Sequence, residues 1–223
     1  QSGCMSFISA MTRCPRPINL DRGQETAALV QGVSAPVANL LVGTAGSSPY
    51  LANLIAKESA WITQAFDDPD QAVELELAEC LSTPYDLRAG KLRQAKRRIA
   101  LLTGLADLGG VWSLEHVTGT LSRFADVACS TALEVGIAQQ IKRGKLPGLS
   151  EDDIVTSGGM VVLAMGKMGA NELNYSSDID LICLFDETRF DADDFGEARM
   201  GFQRATRTMT AMLSDMTGEG YVF

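Results

Sequence analysis

Two aspartates, Asp178 and Asp180, stand one residue apart at the start of an apolar run that ends at Phe185. Alternate side chains of a strand share a face, so both carboxylates are predicted to project from one face. At a spacing of ~6.6 Å they would repel each other by roughly 2–3 kcal/mol at an effective dielectric constant of about 20. A hard cation would relieve this repulsion, and oxygen ligands select Mg²⁺ or Mn²⁺ rather than Zn²⁺. The spacing alone also fits two solvated aspartates at a strand end.

A turn of small residues precedes the aspartates and could receive a phosphate. Gly166 and Lys167 follow a short apolar run, and Ser177 stands directly before the first aspartate. Glycine lets the backbone lie close to a phosphate, while lysine and serine supply a charge and a hydroxyl. A Walker A loop does not fit, because Met168 stands where Ser or Thr is needed. A dinucleotide G-x-G-x-x-G does not fit either, since two residues separate Gly166 from Gly169. The order of these residues therefore indicates metal-assisted phosphoryl transfer.

Composition excludes several other classes of protein. The 223 residues carry 19 basic and 28 acidic side chains, a net charge of −9, without a basic block. We therefore expect no nucleic-acid partner and no binding to anionic membrane surfaces. A single histidine, His116, argues against histidine metal sites and a Ser-His-Asp triad. Five scattered cysteines without C-x-x-C spacing indicate reduced thiols. No apolar run could span a membrane and no signal-peptide pattern is present, so we expect a cytoplasmic protein.

The first two-thirds of the chain have the apolar spacing of helices. Ser48, Asp68 and Ser113 are predicted N-caps, the first two followed by proline, and the longest helix is predicted over about 114–141. The helix that ends at the glycines 109–110 carries a basic face. We interpret this face as solvated; its members are Lys91, Arg93, Lys96, Arg97 and Arg98.

A change of character over residues 143–159, which are rich in Gly, Pro and acidic side chains, predicts a domain boundary. We place a helical domain at 1–155 and a second domain at 156–223. In the second domain, runs at 160–165 and 179–185 are predicted to be buried strands, and 195–216 a helix. Residues 221–223 are predicted to begin a third strand. The expected fold class is α+β.

The second domain resembles a known superfamily. A strand, a small loop and D-x-D on the next strand form the arrangement of the polymerase-β-like nucleotidyltransferases. The string G-K-M-G-A-N-E-L-N-Y-S-S-D-I-D-L-I is similar, more narrowly, to the motif of the glutamine synthetase adenylyltransferase family. That motif reads G-K-x-G-[small]-x-E-L-x-x-x-S-D-[hydrophobic]-D-L, and Ala170 stands where Gly is commoner. Residues 92–133 are similar to the helical segment that precedes the motif.

The resemblance implies an activity. Enzymes of this family have two heads: one removes AMP from adenylylated glutamine synthetase by phosphorolysis and releases ADP, and the other attaches AMP from ATP. Residues 176–180 and 220–223 look more like the N-terminal, adenylyl-removing head, and the adenylylating head is the alternative. The resemblance assigns Asp178 and Asp180 to Mg²⁺ (or Mn²⁺). It assigns Gly166, Lys167 and Ser177 to the path of nucleotide and phosphate.

The resemblance also implies partners and a missing part. Glutamine synthetase and the PII signalling protein are the implied partners, and a non-catalytic docking role for the helical region is the competing hypothesis. Glu172 is expected to orient the loop. The superfamily takes a third carboxylate from the next strand, whereas this sequence stops at Phe223. We therefore expect a truncated nucleotidyltransferase sheet in a piece of a larger enzyme, inactive by itself.

Overall fold

The computed structural model describes residues 6–218 and 220–223 and is predominantly helical. The predicted α+β class is confirmed, since the helices are accompanied by one small antiparallel sheet. No helix in the described ranges is long and apolar enough to cross a membrane. The helices are α1 Phe7–Ala10, α2 Leu20–Ala27, α3 Ala35–Ser47, α4 Pro49–Lys57, α5 Ser59–Ala65, α6 Pro69–Ser82, α7 Arg88–Leu108, α8 Leu114–Lys142, α9 Gly166–Gly169 and α10 Phe195–Ser214.

Local capping explains where three of these helices begin. The Ser48 hydroxyl accepts the Leu51 N–H at 3.2 Å at the start of α4, and a carboxylate oxygen of Asp68 accepts the Gln71 N–H at 3.0 Å at the start of α6. The Ser113 hydroxyl caps α8 in the same way at 3.3 Å. Each side chain satisfies a backbone donor that has no partner within its helix. These predicted helix starts are confirmed.

Some helices differ from the prediction. Residues 51–65 have apolar side chains at the spacing of one continuous helix, yet they are divided between α4 and α5, because the backbone leaves the helical region at Glu58, where φ is −115°. Sequence reasoning missed α1, α2 and α3. A signal was present for α2, whose first turn is capped by Asn19 through a 3.0 Å bond from the Arg22 N–H.

Two compact units make up the chain. The first comprises the residues up to Ala78 together with Ala95–Leu121, and the second comprises Glu79–Gln94 together with Ser122–Phe223. The domain boundary placed near residue 155 stays a prediction. Fully buried side chains of the first unit are Phe7, Leu40, Leu41, Ile55, Ile62, Ile99, Leu101, Leu102 and Leu105, and the second unit buries Phe124, Ile137, Ala198, Phe202, Ala205 and Met209.

The basic face of α7 is not solvated, so that interpretation is wrong. In the first unit, Glu58 accepts hydrogen bonds from Nε of Arg97 at 2.9 Å and Nε of Arg98 at 3.0 Å. Arg98 also donates to Glu76 at 2.6 Å. Both glutamates are buried. Burial disfavours the charged form of Arg98, but the hydrogen bonds and charges of Glu76 and Glu58 outweigh it and raise the pKa of its guanidinium.

The second unit buries another arginine of the same face. The Arg93 side chain is 7% exposed and donates to the backbone carbonyls of Ala89, Asp215 and Gly220. A guanidinium has five donors in a fixed fork, which suits it to several carbonyls at once. Arg93 therefore ties α7 to the turn that follows α10.

The sheet pairs β1 Met160–Ala164 with β2 Leu181–Phe185 in antiparallel register, with Met160 opposite Phe185. The strands form where predicted, with slightly narrower limits. The prediction that they are buried is wrong for one face, where Val161 and Leu184 lie opposite each other and are 55% and 54% exposed. The other face packs on α10, with the Phe185 ring stacked on Phe202 at 4.6 Å.

The last residues do not begin a third strand in this structure, so that prediction is wrong. The Val222 and Phe223 N–H groups both donate to the Leu213 carbonyl near the end of α10, at 3.0 and 2.9 Å. Val222 is fully buried, and the Phe223 ring lies 5.7 Å from that of Phe124. The segment therefore satisfies a carbonyl at the end of a helix.

Candidate active site

The two aspartates lie in the chain that enters β2. The strand begins at Leu181, so both carboxylates precede it rather than lie within it. Pairing with the first strand nevertheless reaches Asp180, whose carbonyl accepts the Met165 N–H at 2.9 Å. Exposure alternates here: Asp178 and Asp180 are exposed, while Ile179 is less so. This alternation is typical of two carboxylates on the outer side of an extended segment.

Gly166 and Asp180 are neighbours in space. A Cβ built on Gly166 would lie 3.6 Å from an oxygen of the Asp180 carboxylate. The space would admit this atom, but the backbone of Gly166 has φ +56°, a conformation that favours glycine. The antiparallel pairing brings the turn after β1 to the carboxylate before β2. Two of the predicted site residues thus meet.

The loop after Gly166 is shaped by a helix cap. The single helical turn α9 ends at Gly169, with Ala170 as its C-cap, and is followed by Asn171, whose φ of +60° is left-handed. The Asn171 N–H donates to the Met168 carbonyl at 3.0 Å, and the Glu172 N–H donates to the Lys167 carbonyl at 2.8 Å. These two bonds form a Schellman motif, in which asparagine is one of the few residues that tolerate the left-handed position. The string G-K-M-G-A-N-E therefore encodes the turn itself. Glu172 thus takes part in the loop through its backbone N–H, and an orienting role of its carboxylate stays a prediction.

The next residue anchors the loop to α8. The Leu173 N–H donates to the Ser122 hydroxyl oxygen at 3.1 Å, and each of the two residues is 1% exposed. Sequence reasoning missed Ser122. A serine between the apolar residues Leu121 and Phe124, which are both buried, was the available signal.

Three charged side chains of the site have no charged or hydrogen-bonding partner within residues 6–218 and 220–223. Lys167, Asp178 and Asp180 are exposed, and their charged groups make no hydrogen bond or ion pair with any residue that the structure describes. The described ranges also contain no group of three or more His, Cys, Asp or Glu side chains that could hold a metal ion. Two carboxylates suit Mg²⁺, which is commonly held by one or two carboxylates, substrate phosphate oxygens and water.

The Ser177 side chain forms hydrogen bonds within a local turn. Its hydroxyl donates to the Asn174 side-chain oxygen at 2.7 Å, and the Ser176 N–H reaches the same oxygen at 3.2 Å. Within the described residues, the Ser177 side chain makes no hydrogen bond to the other predicted site residues. Its role on the phosphate path stays a prediction.

A cavity of about 330 Å³ lies between the Asp178 segment and α10. Its walls are mostly apolar, and the Thr206 and Thr210 hydroxyls on them donate to carbonyls one turn back in their own helix, each at 3.0 Å. Burial raises the pKa of the Cys183 thiol at its edge. Burial, with Asp126 and Cys183 nearby, raises the pKa of Cys129 to about 12. Both thiols are protonated at neutral pH, which argues against a cysteine nucleophile here.

Comparison with known proteins gives the family. A family model described as glutamate-ammonia ligase adenylyltransferase matches residues 38–223. The chain is 39% identical over 191 residues to the bifunctional glutamine synthetase adenylyltransferase/adenylyl-removing enzyme of Bradyrhizobium diazoefficiens, covering 83% of this chain and 19% of that protein. The enzyme of the same description from Caulobacter vibrioides is 36% identical over 182 residues, covering 79% of this chain and 18% of that protein. The chain thus spans about a fifth of the length of the curated relatives it matches. The resemblance drawn from the motif is confirmed, and the chain belongs to the glutamate-ammonia ligase adenylyltransferase family.

Proposed function

We propose that this chain is part of a longer enzyme and contributes to a nucleotidyltransferase head that removes AMP from adenylylated glutamine synthetase by phosphorolysis. The observation that carries the proposal is the approach of Gly166 to the Asp180 carboxylate. It joins a backbone turn suited to a phosphate with a carboxylate suited to a hard cation. The family match and the descriptions of the relatives support the same substrate protein.

The proposed reaction exchanges one bond to phosphorus for another. An oxygen of inorganic phosphate attacks the phosphorus of the AMP group. The bond from that phosphorus to the protein oxygen breaks, the protein oxygen takes up a proton, and ADP leaves. Charge on the phosphoryl oxygens must be neutralised throughout, so positioning and electrostatics dominate catalysis of this transfer.

The residues divide this work by their chemistry. Asp178 and Asp180 would hold Mg²⁺ (or Mn²⁺), and the bound ion would neutralise phosphoryl charge. Lys167, which is exposed and has no carboxylate partner in the described part of the chain, would bind the incoming phosphate as a point charge. The turn at Gly166 would present its backbone to a phosphate beside the metal ligands, and Ser177 would add a hydroxyl. On the strength of the resemblance, we add PII as the regulatory partner and the cytoplasm as the place of the reaction.

The test measures the two opposite reactions of the full-length enzyme that carries this chain. One assay follows ADP release from adenylylated glutamine synthetase with Mg²⁺ and phosphate, and the other follows AMP transfer from ATP. Asp178→Asn and Asp180→Asn should each lower ADP release by at least about 100-fold and leave AMP transfer intact, because each removes a charged metal ligand. Asp193→Asn, an exposed aspartate of the same unit, is the matched control.

Two results would contradict the proposal. Loss of AMP transfer with ADP release retained would assign this chain to the adenylylating head. Full retention of both activities would show that the aspartates hold no essential metal and would leave the helical region as a docking module. The 223-residue chain alone, assayed beside the full-length enzyme, should release no ADP.

A further inference from the structure

We infer that Ser122 on α8 is a positioning residue. It holds the turn that carries Lys167 in the place where the Lys167 ammonium group can bind the incoming phosphate. The inference rests on the proposed function, because it gives Lys167 its phosphate. It goes further by identifying a residue outside the motif that controls phosphate recognition.

The hydrogen bond that joins the loop to α8 is buried. Ser122 and Leu173 are each 1% exposed, and the serine hydroxyl accepts the Leu173 N–H at 3.1 Å. Water cannot replace the hydroxyl at so closed a position. Without it, the amide would be buried and unpaired unless the loop moved away from the helix.

Lys167 is connected to this hydrogen bond through the backbone of the loop. Two successive N–H groups of the loop donate to different parts of the fold. The Glu172 N–H donates to the Lys167 carbonyl at 2.8 Å and closes the turn, and the Leu173 N–H donates to the Ser122 hydroxyl on α8. The turn is a compact unit because Asn171 holds the left-handed position of its cap. A shift of Leu173 away from α8 therefore carries Lys167 with it.

Loss of the Ser122 hydroxyl should weaken the binding of inorganic phosphate. A misplacement of about 1 Å costs up to about 100-fold in rate. Ser122→Ala should raise the KM for inorganic phosphate by about tenfold or more and leave the KM for adenylylated glutamine synthetase unchanged. Simple loss of folded enzyme would instead lower kcat and leave both KM values unchanged.

The experiment is a double-mutant cycle in the full-length enzyme, made of Ser122→Ala, Lys167→Ala and the pair. If the serine acts through the lysine, its tenfold effect should shrink to less than about twofold in the Lys167→Ala background. Ser122→Cys fills the space of the hydroxyl but offers only a weak acceptor, so it should behave like Ser122→Ala without leaving a cavity. Ser130→Ala, an exposed serine of the same helix, is the matched control.

Hydrogen exchange of the backbone amides of residues 166–177 in the same proteins tests the anchoring of the loop by Ser122 separately from the phosphate role proposed for Lys167. Faster exchange in Ser122→Ala, but not in Ser130→Ala, is the expected result. Unchanged exchange, or an equal effect of Ser122→Ala with and without Lys167, would overturn the positioning role. Faster exchange together with an inert Lys167→Ala would instead show that the loop is anchored as inferred, while the phosphate role proposed for Lys167 is wrong.

Discussion

The Cα atom of Gly136 on α8 packs directly against the backbone of Ala205 on α10. A Cβ built on Gly136 would lie 2.6 Å from the Ala205 carbonyl oxygen and 3.0 Å from its Cα. Atoms at these distances overlap, so the approach of the two helices depends on the absence of a side chain. Because α10 packs under the sheet, this contact also determines how α8 and the sheet are layered within the second unit.

Gly136→Ala should lower the free energy of unfolding by about 1–3 kcal/mol, because backbone rather than a flexible side chain must move. Gly90→Ala is the matched control, since Gly90 lies in α7 with nothing within 4 Å of the added atom. That control should stabilise the chain by up to about 1 kcal/mol through helix propensity. Urea denaturation of the two variants measures the difference. Equal free energies of unfolding for Gly136→Ala and Gly90→Ala would show that α8 and α10 can move apart without loss of stability.

Gly166→Ala should abolish ADP release by the full-length enzyme and cost the fold only about 1–2 kcal/mol. Its φ of +56° is strained for alanine, and the turn must distort beside Asp180. Gly196→Ala is the control, because Gly196 has ordinary helical backbone and open space in the first turn of α10. Activity and thermal midpoint are measured together, and a fully active Gly166→Ala enzyme would remove this turn from the site.

Glu58→Gln should lower the free energy of unfolding by about 3 kcal/mol, because Arg97 and Arg98 lose a carboxylate that they share in a largely buried setting. Glu197→Gln provides the comparison, since its ion pair with Lys145 is over 40% exposed on both sides and should contribute under about 1 kcal/mol. Denaturation in low and high salt measures both. If Glu58→Gln lowered the free energy of unfolding by less than Glu197→Gln does, the ion pairs of Glu58 with Arg97 and Arg98 would be solvated.

Lys96 should make stability rise with pH. Burial lowers its pKa from 10.5 to about 8 in the folded chain. Between about pH 8 and 10.5 the unfolded state therefore binds more protons than the folded state, and the free energy of unfolding gains up to about 3 kcal/mol across this window. Lys96→Met should flatten this rise, whereas Lys57→Met, at an exposed position of the same unit, should keep it. Urea midpoints at several pH values measure the slope, and parallel curves for parent and Lys96→Met would contradict the prediction.

The sequence by itself determined the features that depend on near neighbours in the chain. Ser48, Asp68 and Ser113 start helices because each bonds an amide only three residues ahead. Alternation placed Asp178 and Asp180 together at the entrance of a strand. The motif around them was sufficient to recognise the family, since so long a string of fixed types and spacings rarely arises by chance.

Only the tertiary structure decided what is buried and what meets across long separations. The sequence pattern of α7 predicts a solvated basic face. Arg93 is nevertheless buried, because backbone carbonyls more than a hundred residues away in the sequence accept hydrogen bonds from its guanidinium. The apolar strands look buried, yet Val161 is exposed, because none of the described elements covers that face of the sheet. Ser122 gains its importance only from a loop 51 residues later. Burial and hydrogen bonding across the fold depend on which surfaces pack together, and no local pattern encodes that choice.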